Sequence, residues 1–245
     1  MVSATPYGTT PKAAMSPRTT VFRVSFIGLV SLAIAMGIGR FAFTPLLPLM
    51  QDDGLVSIAD GGVLASVHFF GYLLGAVFAA RLVASPRTTL RLSLIAIGAC
   101  TLGMGVIDSF PIWLVLRWLS GVCSAFTLVL VGNFYVKHLT DLGRPEQQGW
   151  VFSGVGAGIA IAGFGALAVM ASQTGSAMSW RIFGILSLAV AFVVCMWMGR
   201  EISGSRPEAD NHGSGRAPVN WSVVVAYGAA GIGYVIPATY LPVMA

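Results

Sequence analysis

The segment GIGRFAFTPLLPLM, Gly37–Met50, joins a single arginine to an apolar run of helix length. The uncharged residues 24–39 precede Arg40, and Pro45 and Pro48 follow it. A charge-poor run of about 18 residues or more can cross the roughly 30 Å hydrocarbon layer of a membrane as a helix. The segment therefore predicts a membrane-spanning helix that carries an arginine at depth.

The composition of the whole chain agrees with a membrane protein. Hydrophobic residues make up 56% of its 245 residues and charged residues only 9%, which is far from the composition of a soluble domain. Seven runs are long enough to span, and we predict helices at residues 24–50, 60–82, 90–107, 112–136, 149–171, 180–199 and 220–244. The predicted fold class is an all-α polytopic membrane protein with seven transmembrane helices.

The basic residues predict the orientation of the chain. If the spans alternate in direction, eleven of the fourteen lysines and arginines fall on one side, whereas the opposite loops hold Arg181 with Asp52, Asp53 and Asp108. Because cytoplasmic loops carry the excess of positive charge, we expect a cytoplasmic amino terminus in a bacterial inner (plasma) membrane. The net charge of +5 then reflects topology, and no nucleic-acid partner is predicted.

The last predicted span repeats part of the opening segment. Residues 231–244 read GIGYVIPATYLPVM, and six positions are identical when they are aligned with Gly37–Met50. A six-helix unit followed by a second copy is typical of transporters built from parallel repeats. We predict a disordered cytoplasmic tail at 1–20, a six-helix bundle at 21–199, a cytoplasmic linker at 200–219 and the first helix of a second bundle at 220–245. The rest of that bundle is missing, as expected of a truncated reading frame or a fragment.

Three short motifs resemble the major facilitator superfamily (MFS) of transporters. The opening segment together with GYLLGA at residues 71–76 looks like the YbfB/YjiJ branch, and RWLSG, Arg117 to Gly121, is similar to the superfamily motif with Arg and Gly four apart. The resemblance covers residues 22–245. It implies the MFS amino-terminal bundle plus the first helix of the second bundle, in a secondary active transporter that moves a small solute by alternating access.

Arg40 and Arg117 are the leading candidates for a substrate site. An arginine near the membrane centre costs about 2.5–3.5 kcal/mol on insertion scales, and such residues usually face a cavity. The resemblance implies that the first and fourth spans line one cavity, opposite Tyr234 on the seventh span. Two fixed positive charges there favour an anionic substrate. The other predicted substrate-binding or coupling residues are Phe41, Thr44 and His68.

Two of these residues have alternative interpretations. His68 in the second span could carry a coupling proton, but a single helix histidine is more often packed and hydrogen-bonded. Arg117 lies only about 9 Å along its helix from Pro111, so its side chain could instead reach the outer surface. The residues alone leave both questions open.

Glycines and prolines predict the local shape of the spans. Pro45 and Pro48 cannot donate backbone hydrogen bonds, which frees carbonyls just beyond Arg40. Gly37 and Gly39 loosen the preceding turn, so we predict a helix broken near mid-membrane, as is typical of a transporter substrate site. The simpler alternative is a kink without function. Close helix packing is the role predicted for Gly121, Gly154 and Gly158.

The sequence also bears on other classes of function. An intramembrane enzyme would need paired catalytic groups at one depth, and no such pair occurs, so we predict no enzyme, no cofactor and no metal site. The alternative to a transporter is a truncated remnant that transports nothing or serves in membrane assembly. The predicted partners are a small-molecule substrate, with or without a coupling proton, and the lipid bilayer. A homodimer would cover the open wall of a single bundle.

Overall fold

The computed structural model describes residues 17–82 and 85–198 and the isolated positions Ser222, Val225, Ala226 and Ala229. Within these residues, six helical stretches are long and apolar enough to cross a membrane. We call them the first to sixth spans: Arg18–Asp52, Ile58–Ala79, Pro86–Val106, Phe110–Asp141, Gln147–Ala171 and Ser176–Trp197. The predicted all-α polytopic membrane fold is confirmed. Three predicted segments lie outside the described residues: residues 1–16 of the tail, the linker, and the seventh span apart from those four positions. The sequence predicts residues 17–20 as part of the disordered tail, but they form the first turn of a helix.

Two spans change helix type along their length. The first span consists of an α-helix, a π-helix and a second α-helix, at Pro17–Leu32, Ala33–Phe41 and Phe43–Asp52. The fourth span has the same order of types, at Phe110–Leu130, Val131–Val136 and Lys137–Asp141. The remaining spans are single α-helices, Ile58–Leu82, Pro86–Val106, Gln147–Ala171 and Ser176–Trp197. A π-helix pairs each N–H with the carbonyl five residues earlier, and π-helical turns are frequent at functional sites.

Polar side chains cap the starts of the second and sixth spans. At the start of the second span, Ser57 and Asp60 form a capping box: the Asp60 carboxylate accepts the Ser57 N–H at 2.9 Å, and Ser57 Oγ accepts the Asp60 N–H at 3.1 Å. Asp53 accepts the Ser176 N–H at 2.7 Å, so the end of the first span caps the start of the sixth.

Glycine allows the first and fifth spans to touch through their backbones. A side chain at Gly154 would overlap the carbonyl of Leu29, and one at Gly158 would overlap the carbonyl of Ala33. On the first span, a side chain at Gly37 would meet the backbone of Gly158. The crossing therefore depends on small residues on both helices, which is the usual way for membrane helices to approach closely.

The second and fourth spans cross in the same manner. A side chain at Gly121 would overlap the carbonyl of His68, and one at Gly71 would overlap the carbonyl of Trp118. The third and sixth spans approach closely at Gly105 and Gly184. The bundle is thus held by three glycine-mediated crossings, first with fifth, second with fourth and third with sixth.

The charged residues are divided between the two ends of the bundle. One end, which we call the basic end, carries the start of the first span, the junctions between the second and third and between the fourth and fifth spans, and the end of the sixth span. Its described basic residues include Arg18, Arg23, Arg87, Arg91, Lys137 and Arg144. The opposite end carries Asp52, Asp53, Asp108 and Arg181. That the basic end faces the cytoplasm stays a prediction.

We expect Gly158→Ala to destabilise the bundle and Gly156→Ala to leave it unchanged. The added methyl group at Gly158 would overlap the Ala33 carbonyl, whereas nothing lies within 4 Å of the corresponding position at Gly156. Overpacking of this kind costs about 1–3 kcal/mol. The measurement is the melting temperature of the two purified variants in the same detergent. Equal melting temperatures would show that the first and fifth spans do not pack at Gly158.

Candidate functional site

The π-helical segment Ala33–Phe41 carries Arg40 and forms the first side of the site. The Ala42 N–H donates to the Gly37 carbonyl at 3.0 Å, five residues back, so the segment keeps its hydrogen bonds where the sequence predicts a broken helix. Pro45 lies in the first turn of the following α-helix, where no intrahelical N–H bond is needed. Pro48 lies inside the same helix, which nevertheless continues to Asp52. The first span therefore changes its helix type here and is not broken.

Three polar residues of the fourth span hold this segment. Arg117, Ser120 and Ser124 lie on one face of their helix because they are spaced by three and four residues. Arg117 Nη1 and Ser120 Oγ each donate to the Gly39 carbonyl at 3.3 Å. Ser124 Oγ donates to the Ala35 carbonyl at 3.1 Å. All three donors are buried, so they form a hydrogen-bonded seam between the first and fourth spans.

Arg117 points into the bundle, away from the outer surface that the sequence left as an alternative. Its side chain is 4% exposed, and its guanidinium carbon lies 4.4 Å from the ring centroid of Phe43. A guanidinium over an aromatic face at this distance is a cation–π contact. Within residues 17–82 and 85–198, Arg117 Nε has no hydrogen-bond partner. Arg117 thus bridges the π-helical segment and the α-helix that follows it.

Arg40 occupies a different environment, only partly buried, against aromatic rings of two spans. Its guanidinium carbon is 5.0 Å from the ring centroids of Phe69 and Tyr72 on the second span and 5.1 Å from that of Phe41. Arg117 donates a hydrogen bond to the carbonyl of Gly39, and Gly39 is the residue directly before Arg40. The two arginines therefore have different exposure and different contacts.

His68 belongs to the crossing of the second and fourth spans. It is fully buried, and its Nδ1 lies 3.1 Å from the backbone carbonyl of Arg117. Because a carbonyl only accepts, Nδ1 is the protonated nitrogen in this bond, which leaves Nε2 as an acceptor. Nε2 has no hydrogen-bond partner within the described ranges. The ring meets Phe69 edge to face at 5.9 Å between centroids, so His68 packs behind the aromatic group that surrounds Arg40.

The structure brings some of the predicted residues together and reveals others. Arg40, Phe41, Arg117 and His68 converge, and Thr44 lies half-buried one turn after Arg40. Gly121 lies where the fourth span crosses the second, while Gly154 and Gly158 lie where the fifth span crosses the first. Tyr234 lies outside the described residues. The sequence reasoning missed Ser120, Ser124, Phe43, Phe69 and Tyr72.

Some of the missed residues could have been predicted from the sequence, and others could not. Ser120 and Ser124 follow Arg117 at helical spacing, so a polar face on an otherwise apolar span was visible. Phe69 and Tyr72 gave no such signal, because aromatic residues are common on lipid-facing helices. Only the tertiary structure shows that their rings lie against Arg40.

The site concentrates positive charge inside the bundle. Two guanidinium groups lie at depth, while the acidic residues of the described ranges lie near the ends of the spans: Asp52, Asp53, Asp60, Asp108, Asp141 and Glu146. Those ranges contain no group of His, Cys, Asp and Glu side chains arranged to hold a metal ion. The arrangement is suited to binding a negatively charged group beside aromatic rings.

Comparison with known proteins bears on the whole arrangement. A sequence family described as "Uncharacterised MFS-type transporter YbfB" matches residues 32–245, which include Arg40, His68 and Arg117. A comparison with curated proteins gave no match. The family match confirms the resemblance of the motifs, and together with the six spans it indicates a transport role in a membrane. The chain therefore belongs to the YbfB-like family of MFS transporters and is a multi-pass membrane protein.

Proposed function

We propose that this transporter moves a small organic anion across the membrane by alternating access, and that Arg40 contacts the anion. The observation that carries the proposal is the position of Arg40, a half-buried residue deep in the first span whose guanidinium lies against three aromatic rings. Charged residues in membrane spans generally mark substrate or ion pathways. A carboxylate or phosphate group would form charge-assisted hydrogen bonds to the guanidinium edge.

Arg117 has a positioning role in this proposal. It is almost fully buried and donates to the carbonyl of Gly39, the residue before Arg40. Its contact with Phe43 holds the α-helix that follows the π-helical segment. A substrate that approaches Arg40 therefore meets a backbone already held in place by the fourth span. Residues that support a binding side chain in this way keep it in the geometry that binding requires.

The π-helical segment connects the site to alternating access. Local π-helical turns pair backbone groups less regularly than α-helices do, and they occur frequently at functional sites. The segment crosses the fifth span at Gly37 and is bonded to the fourth span at Ala35 and Gly39. We propose that the first span changes its helix geometry here when the anion binds, while the glycine crossings keep the bundle together.

We expect Arg40→Gln to lose most of the transport activity. Removing a charged hydrogen-bond donor from a binding site weakens binding by about 1.5–3 kcal/mol, or roughly ten- to a hundredfold. The measurement is counterflow of radiolabelled organic anions, with aliphatic and aromatic carboxylates and phosphate esters compared, in proteoliposomes of the full chain. Arg144→Gln is the matched control, since it removes one exposed arginine whose ion pair with Glu146 lies at 3.4 Å. Counterflow by Arg40→Gln equal to that of the parent would remove Arg40 from the site.

A wild-type protein that is folded and monodisperse, yet shows neither counterflow nor binding of any of these anions, would contradict the anion proposal itself. It would favour the remnant or assembly role that the sequence left as an alternative.

We expect Arg117→Met to separate stability from transport. No carboxylate of the described ranges forms an ion pair with Arg117, and replacing a buried charge by an apolar side chain of similar length is often neutral or stabilising. The variant should therefore melt at or above the temperature of the parent, and its transport rate should fall because Gly39 loses a donor. Ser120→Ala is the comparison: it also removes one donor to Gly39, but it leaves the contact of Arg117 with Phe43 in place, so transport should fall less. A marked loss of stability in Arg117→Met with normal transport per folded molecule would assign Arg117 a purely structural role.

A further inference from the structure

At the basic end, three arginines from two spans converge on the last carbonyls of the sixth span. Arg87 Nη2 donates to the Met198 carbonyl at 2.7 Å, and Arg91 Nη2 donates to the carbonyl of Cys195 at 2.6 Å and to that of Met198 at 3.0 Å. Arg23 Nε donates to the Trp197 carbonyl at 2.6 Å. The free carbonyls at the carboxyl end of a helix attract cations, so these contacts have a structural basis.

The positive charge of Arg87 and Arg91 exceeds what the helix end supplies. The carboxyl end of a helix is equivalent to roughly half a negative charge. In the described ranges, no carboxylate forms an ion pair with Arg87 or Arg91. Both side chains are half-buried, and their Nε atoms are buried without a hydrogen-bond partner in those ranges. Two guanidinium groups that share one helix end therefore retain donors and charge for an anion.

A buried hydroxyl from the fourth span lies in the neighbourhood of the same charges. Tyr135 lies in the π-helical segment Val131–Val136 and is only 1% exposed. Its hydroxyl has no hydrogen-bond partner in the described part of the chain, and it lies within electrostatic range of Arg87, Arg91 and Arg23. A buried polar group without a partner is costly, so an oxygen-rich ligand would stabilise it.

Three exposed aromatic side chains, Phe22, Phe26 and Trp197, lie beside these arginines, and we call them the aromatic ledge. Phe22 and Phe26 stack at 6.0 Å between ring centroids, and Phe26 contacts Trp197 at 5.7 Å. Their side chains are 64%, 38% and 48% exposed, respectively. Aromatic side chains at the ends of membrane spans commonly sit at the level of the lipid headgroups. Since Arg23 donates to the carbonyl of Trp197, the ledge and the arginine group are continuous.

We propose that the phosphodiester of an anionic phospholipid binds to Arg87, Arg91 and Tyr135, with its acyl chains along Phe22, Phe26 and Trp197. Basic pockets between membrane helices are suited to lipid headgroups, and guanidinium groups match the geometry of phosphate oxygens. The lipid would supply the negative charge that the described surroundings of Arg87 and Arg91 lack. The site lies at the end of the bundle, apart from Arg40, so it does not depend on the proposed substrate.

The test compares the melting of the full chain in nanodiscs of phosphatidylcholine and in nanodiscs with increasing fractions of phosphatidylglycerol. We expect the wild type to melt at a higher temperature as the anionic fraction rises. Because each arginine near an anionic lipid contributes several-fold to binding, Arg87→Gln/Arg91→Gln should need a roughly tenfold or higher fraction for the same shift. If the counter-charge is a carboxylate of the chain, such as Glu201 three residues beyond Met198, the wild type will melt equally in both lipids. That result overturns the proposal.

The matched control is Arg18→Gln/Arg144→Gln, which also removes two positive charges from the basic end. Both arginines are exposed, and they line a surface pocket with Val21, Phe22 and Leu142 that includes neither Arg87 nor Arg91. The control should keep the response of the wild type to phosphatidylglycerol. An equal loss in both double variants would indicate general attraction to a charged membrane and would contradict a specific site.

Tyr135→Phe provides a second variant that leaves the arginine contacts to the sixth span in place. We expect unchanged melting in phosphatidylcholine and a roughly threefold weaker response to phosphatidylglycerol, since one hydroxyl bond is lost. An unchanged response would remove Tyr135 from the site. Inorganic phosphate is added in a parallel titration. A shift from phosphate as large as that from phosphatidylglycerol would assign the site to a free anion and overturn the lipid proposal.

Discussion

The hydrogen bonds from the fourth span to the Gly39 carbonyl are the interaction on which the site depends. Arg117 and Ser120 both donate to this one oxygen, and Ser124 donates to the carbonyl of Ala35 one turn earlier. In a membrane interior there is no water to satisfy such groups, so polar atoms must find partners within the protein. The seam therefore holds the π-helical segment in register with the fourth span and sets the position of Arg40.

The seam requires the first and fourth spans to lie close together, and a side chain added at Gly39 would come within 3.1 Å of Ser124 Oγ. The fifth span meets the first through Gly154 and Gly158, and the second span meets the fourth through Gly71 and Gly121. Each crossing brings the backbones of two spans into contact. His68 can reach the Arg117 carbonyl because Gly121 has no side chain between the helices. Packing by small residues and polar bonding are thus parts of one arrangement.

The two arginines that the sequence treats alike have separate roles in the proposed mechanism. Both were predicted from the same argument, the cost of a charge inside an apolar span. That argument contains no information about neighbours, so it could not tell a buried, bonded Arg117 from a half-exposed Arg40 among rings. The prolines show a similar limit. Their missing donors predicted a broken helix, but Pro45 falls in a first turn, where the missing donor has little effect.

The sequence by itself determined the class of the molecule. Long apolar runs must become helices in lipid, and the motifs GIGRFAFTPLLPLM, GYLLGA and RWLSG were sufficient to indicate the MFS family. It also showed which residues are costly at depth and are therefore candidates for function. Only the tertiary structure decided that Phe69 and Tyr72 surround Arg40 and that Ser120 supports Gly39. The physical reason is that these contacts join residues far apart in the chain, and their geometry is set by where glycines allow the helices to cross.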